Sequence, residues 1–225
     1  LGALAVHLKA TYLQLRISIW IVIISILLGR VAEFIVGIFT DSSQNTRLSD
    51  GNLLLLILLI IAIVLPLSYY KRIVHLGASR KQYFWGLQFV YAVWAVAIAL
   101  FNSLWPMLEV NVLHKNTVNL IEAFHWNEFG VAGSFLYQTI FYLMAMALLN
   151  MLISGYYHLV GWLLWATFIV AIPTGTAIPS LRVHVVSFFE ALLFNGSLLA
   201  GVGFNIILYI VFVAGGWFFT RGRTH

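Results

Sequence analysis

Cysteine is absent from the 225-residue chain. That excludes disulfides, zinc–thiolate sites, iron–sulfur clusters and a cysteine nucleophile. Charge is scarce as well. Twelve basic and seven acidic residues make up 8% of the chain, against roughly 25% in an ordinary soluble domain. So few charges cannot coat a water-soluble surface of this size, and a soluble single domain is excluded. Disorder is excluded too, because 62% of the residues are hydrophobic. Six spanning helices of about 20 apolar residues would take up ~120 residues and leave ~105 for ends and loops. The composition therefore points to an all-α integral membrane protein forming a single transmembrane domain over residues 1–225. The net charge of +5 is read first as a topology signal, with no nucleic-acid partner implied.

Apolar runs place spans at about residues 17–39, 53–70, 83–108, 131–154, 159–178 and 197–219. Ala3 to Leu15 mixes apolar residues with His7, Lys9, Thr11 and Gln14, the pattern of an interfacial helix feeding the first span. Pro66 predicts a kink near the end of the second span. Trp85 and Trp105 bracket the third, ~30 Å apart along a helix, and suit the two aromatic belts of a bilayer. Glu109 to Phe129 is the longest polar stretch, and Gly155 to His158 is a tight link between spans 4 and 5.

Orientation follows from Lys and Arg. Lys9, Arg16, Lys71, Arg72, Arg80, Lys81, Arg221 and Arg223 fall on one side, and Arg47, Lys115 and Arg182 on the other. Eight against three predicts that both termini are cytoplasmic. Asp41, Asp50, Glu109, Glu122 and Glu128 all fall in the outer loops.

Between Pro179 and Asn195 lies an apolar segment too short to cross and return as two full spans. Its core, Val183 to Phe194, covers ~18 Å as a helix, which predicts a re-entrant or interfacial element between spans 5 and 6. Pro173 to Thr176 and Pro179 are expected to break the helix on the way in. His184, Ser187 and Glu190 recur every three residues as a narrow polar stripe.

The basic segment between spans 2 and 3 carries apolar Ile73, Val74 and Leu76 among its cations, with small Gly77, Ala78 and Ser79 at its centre. A helix of that kind presses into a partner's groove while its charges set orientation. The plainer reading is a set of positive-inside residues alone. The residues Leu76-Gly77-Ala78-Ser79-Arg80-Lys81-Gln82-Tyr83-Phe84, preceded by His75, resemble the Leu-Gly-x-Ser-Arg-Lys-x-aromatic-Phe motif of small bacterial ABC-2-type permeases. These are membrane subunits of ATP-binding-cassette exporters. The layout of the chain is similar to theirs over nearly its whole length, with an amphipathic lead-in helix, six spans, both ends inside, a coupling helix after span 2 and a re-entrant helical hairpin between spans 5 and 6. Within the family it looks most like Gram-positive peptide and drug exporters such as those for phenol-soluble modulins.

The resemblance implies a half-transporter in the bacterial cell membrane. Two copies of the chain, or the chain and a paralogue, would pair with two separate ATPase subunits that hold ATP and Mg. The chain has no G-x-x-x-x-G-K-[ST] loop of its own, and no cofactor is assigned to it. A cytoplasmic coupling helix is carried over to Ile73, Val74, His75, Leu76, Gly77, Ala78, Ser79, Arg80, Lys81 and Gln82. The expected cargo is hydrophobic or amphipathic, a peptide first.

Other residues carry competing readings. Arg30 and Glu33, three apart in span 1, read either as a substrate or gating contact or as a self-paired structural bridge. Trp94 in span 3 reads as a path-lining aromatic or as core packing. Glu190 with His184 reads as a proton-handling pair or as structural. The seven histidines form no HExxH or other ligand pair, so no metal site is assigned. An ion-coupled transporter or channel is the alternative class, although no repeat relates the two halves. An intramembrane enzyme is a third, without clustered aspartates or a Gly-x-Ser-Gly element to support it.

Overall fold

The computed structural model describes residues 47–49, 54–75, 77–111 and 117–223, with isolated positions 16, 20, 23, 24 and 52. The expected interfacial helix, and all but Trp20, Ile23 and Ile24 of the first expected span, lie outside the described residues. Arg30 and Glu33 lie outside them too.

Helix α1 (Leu55–Val64) runs through a π-helical turn (Leu65–Tyr69) into α2 (Tyr70–His75). Pro66 explains the widened turn. It has no N–H to give to the residue four before it, and the helix continues by reaching one residue further. Helix α3 (Arg80–Asn111) follows. Then come a short α4 (Leu120–Ala123) and a 3₁₀ turn (Trp126–Phe129) leading into α5 (Gly130–Gly155). Helices α6 (Leu159–Ala177), α7 (Pro179–Leu193) and α8 (Leu198–Gly222) complete the chain. Strands β1 (Arg47–Leu48) and β2 (Thr117–Val118) form a two-residue parallel bridge between the loops that precede α1 and follow α3.

Four helices are long and apolar enough to cross a membrane, and a shorter apolar one covers Leu55–Ser68. Such helices satisfy every backbone polar group internally, which hydrocarbon demands. They match the expected third to sixth spans, so the chain is a helical membrane protein.

Helix α5 is central. It packs most extensively on α8 and also meets α1, α3 and α6. The α5–α8 contact is close because α8 offers glycines where α5 offers bulk. A Cβ on Gly201 would sit 2.5 Å from the Tyr137 ring, and one on Gly216 would sit 3.0 Å from the Asn150 amide. Small residues let helices approach where no hydrophobic gain drives them together. Between α3 and α5 runs a buried polar chain. The Asn102 amide donates to the Tyr142 hydroxyl (2.9 Å), that hydroxyl to Gln138 (3.1 Å), and the Gln138 amide to Ser103 (3.3 Å).

Two expectations are corrected here. No separate coupling helix spans Ile73 to Gln82. Ile73 to His75 close α2, Arg80 to Gln82 open α3, and a sharp turn joins them. Pro173 does not break its helix either, because α6 runs on to Ala177. The break is at extended Ile178, where a residue preceding proline avoids the helical region and Pro179 starts the next helix.

Helix α7 has 15 residues, ~22 Å, too short for a bilayer core of about 30 Å. Arg182 reaches back to the Thr176 carbonyl (2.8 Å), fastening its start to the end of α6. Its last carbonyls are held by α5 and α8. Leu192 accepts from the Tyr137 hydroxyl (3.0 Å) and the Asn205 amide (3.2 Å), and Leu193 accepts from the Trp126 indole (2.7 Å). Both ends of α7 therefore sit at the end of the bundle opposite the α2–α3 turn.

Candidate functional site

The α2–α3 turn is built from two complementary caps. Helix α2 ends on Gly77 at φ +88°, a left-handed conformation that glycine adopts without penalty. The N–H groups of Gly77 and Ala78 donate to the Val74 and Ile73 carbonyls (3.0 and 3.2 Å), which closes the helix as a Schellman motif. Helix α3 then starts at once with a capping box. The Ser79 N–H donates to the Gln82 side-chain oxygen (2.9 Å), and the Gln82 N–H donates to the Ser79 hydroxyl (3.2 Å). The result is a stiff elbow held by four hydrogen bonds.

The elbow has an inner and an outer side. Ile73 is buried, and half-buried Val74 and Ala78 pack against the same core. Tyr83 and Phe84 are buried, and Tyr83 meets Tyr70 edge-on at 5.2 Å. His75, Gly77, Ser79, Lys81 and Gln82 are exposed and Arg80 is half-buried; the side chain of Leu76 lies outside the described residues.

The far end of the chain is tied to this elbow. The Arg80 guanidinium donates to the Arg221 carbonyl at the end of α8. A ring nitrogen of His158, in the α5–α6 link, lies 3.2 Å from the Phe219 carbonyl. Arg223 is 97% buried. Its guanidinium lies 4.3 Å from the centres of both the Tyr70 and Tyr157 rings and donates to the Pro66 carbonyl (3.0 Å). The Tyr70 hydroxyl donates back to the Arg223 carbonyl (3.3 Å). The α2–α3 elbow, the α5–α6 link and the chain end thus meet at one basic end of the bundle. The described acids Glu122 and Glu128 belong to the opposite end, in α4 and the 3₁₀ turn that leads into α5.

The remaining sequence candidates are not brought to this site. Trp94 is half-buried and packs against the α1–α3–α5 core. Glu190, His184 and Ser187 are exposed on α7. Among the described residues no group of three or more His, Cys, Asp or Glu gathers as a metal site. Two residues that matter here were missed as contacts. Arg223 counted only as a topology charge, and Trp126 lay inside the polar stretch. A buried tryptophan in a polar loop leaves no periodic signal, although its Phe124 and Phe129 neighbours hint at an apolar patch.

Comparison of the chain with family models, curated proteins and solved structures finds no match.

Proposed function

We propose that the chain is the membrane subunit of an ATP-driven exporter of the bacterial cell membrane, with the α2–α3 elbow as the docking point for a separate ATPase subunit. The elbow's form carries this reading. It presents His75, Gly77, Ser79, Lys81 and Gln82 outward on a turn stiffened by two caps, and Arg80 ties it to α8. A docking element that transmits a push must not flex, and charges around it set the partner's orientation. The motif resemblance over Leu76 to Phe84 supplies the partner class. Ile73 through Gln82 keep their proposed coupling role as an elbow rather than a helix.

In this reading both termini and the elbow are cytoplasmic, and two ATPase subunits bring ATP and Mg. A second copy or a paralogue completes the membrane half, and an amphipathic cargo, a peptide first, leaves along their interface.

The experiment is purification of the tagged full chain from its native membrane in mild detergent. An ATPase subunit is expected at one copy per chain and is expected to be lost when Lys81→Glu and Ser79→Trp reshape the outer side of the elbow. A chain that comes out alone, or a partner indifferent to these changes, rejects the docking role. Ion-driven transport by Arg30 and Glu33 would then be measured in its place.

A further inference from the structure

Between the π-helical turn and the α5–α6 link lies a cleft of about 420 Å³ lined by Leu67, Ile153, Tyr156, Trp162, Trp165 and Ile169. Its volume falls in the range of about 300–1,000 Å³ typical of small-molecule sites. The Trp165 indole is spent on the Leu152 carbonyl (3.0 Å), so the lining offers rings and aliphatic surface. Trp162 is more than half exposed (53%) and stands 5.0 Å from Tyr156 at the rim. On a helical membrane protein such an opening faces acyl chains.

The cleft shares two pieces of backbone with the Arg223 site. Leu67 lines the cleft while Pro66 accepts from Arg223, and Tyr156 lines it while Tyr157 covers the guanidinium. One guanidinium nitrogen, Nη2, is buried without a hydrogen-bond partner. No carboxylate among the described residues lies at this end of the bundle, where Arg80, Lys81 and Arg221 gather instead. A buried cation without a counter-charge is costly, and an arriving anion relieves that cost. Tyr157, which covers one side of the guanidinium, is itself half exposed (52%).

We propose that this corner is a binding site for an anionic phospholipid, with an acyl chain in the cleft between the π-helical turn, α5 and α6 and the phosphate drawn to Arg223. The apolar cleft commits the site to a lipid rather than a free anion. The charge commits it to an anionic headgroup, because basic pockets between membrane helices recognise such heads. The site stands on the membrane character of the chain and is independent of the exporter reading.

Native mass spectrometry of the full chain in mild detergent tests it, with phosphatidylglycerol and phosphatidylcholine of identical acyl chains supplied in equal amounts. Retention of phosphatidylglycerol is expected to exceed that of phosphatidylcholine. Arg223→Gln is expected to cut this preference by about fivefold, while Arg182→Gln at the opposite end of the bundle leaves it within about twofold. An equal fall in both variants, or no preference in the parent chain, overturns the proposal. Displacement of the lipid by excess inorganic phosphate overturns it too, in favour of a soluble anion. Should Arg223→Gln fail to fold, brominated lipids report on the same site. Tryptophan quenching by brominated phosphatidylglycerol should exceed that by brominated phosphatidylcholine, and the excess should vanish in Trp162→Phe. Equal quenching by the two lipids counts against the site.

Discussion

The two ends of the bundle solve one problem with different chemistry. The last carbonyls of a helix have no partner within it and carry partial negative charge. At the basic end, α8 finishes on the carbonyls of Phe219 and Arg221, which meet a His158 ring nitrogen and the Arg80 guanidinium. At the opposite end, α7 finishes on the carbonyls of Leu192 and Leu193, which meet the neutral groups of Tyr137, Asn205 and Trp126. A cation answers both the missing hydrogen bond and the charge, but salt and nearby anions screen it. Neutral donors answer only the hydrogen bond, and they bring aromatic packing that salt leaves alone. One end is therefore built to respond to its electrostatic surroundings and the other to hold its shape.

The strongest break of this comparison is at the neutral end. Trp126 is almost wholly buried, stacks on Tyr137 at 4.8 Å and donates to Leu193. Trp126→Ala is expected to lose about 3–5 kcal/mol of stability. Thermal unfolding in detergent should show that loss unchanged between low and high salt. Next comes Arg223→Met at the basic end. Two ring contacts and the Pro66 bond disappear, at about 2 kcal/mol, and here the parent's advantage should grow in anionic detergent, whose headgroup supplies the counter-charge the buried guanidinium lacks. A parent-to-variant gap that ignored anionic detergent at Arg223, or followed salt at Trp126, would dissolve the distinction between the two ends.

Smaller effects sharpen the comparison. Nothing stands within 4 Å of a Cβ placed on Gly77, so Gly77→Ala strains only the left-handed backbone. A cost of about 1–2 kcal/mol is expected, read as a lowered unfolding temperature. Partner capture should weaken further than that drop alone explains, because the elbow loosens. Smallest is Tyr142→Phe, which removes the hydroxyl joining Asn102 to Gln138. Hydrogen bonds between membrane helices average about 0.6 kcal/mol, and a loss of that size is expected. A loss several times larger would mark the neutral chain as a principal tie between α3 and α5 rather than a minor one.

Much of the architecture was legible from hydropathy. The expected third to sixth spans match α3, α5, α6 and α8 to within three residues at each end, and the Gly155–His158 link lies where it was read. Hydropathy is local, and a long apolar run has few ways to satisfy its backbone other than as a helix. The elbow was half legible. Its cations, small centre and position are legible in the sequence, but the single helix they suggest is not what forms. The pattern Gly77, Ser79 and Gln82 in fact writes a stop at Gly77 and a start at Ser79, two residues apart. Pro173 misled in the opposite direction, because α6 carries a proline in its last turns without ending there.

The sequence by itself determined the class, the long apolar helices and the gathering of positive charge toward one end. Each of those depends on composition or on residues within a turn or two of one another. Only the tertiary structure decided that Arg223 closes on Pro66, Tyr70 and Tyr157, and that Trp126 leaves its polar loop to fasten α7. Those contacts join residues 66 with 223 and 126 with 193, and no local propensity encodes them. They follow from which carbonyls the helix ends leave unpaired and which side chains the packed bundle brings within reach.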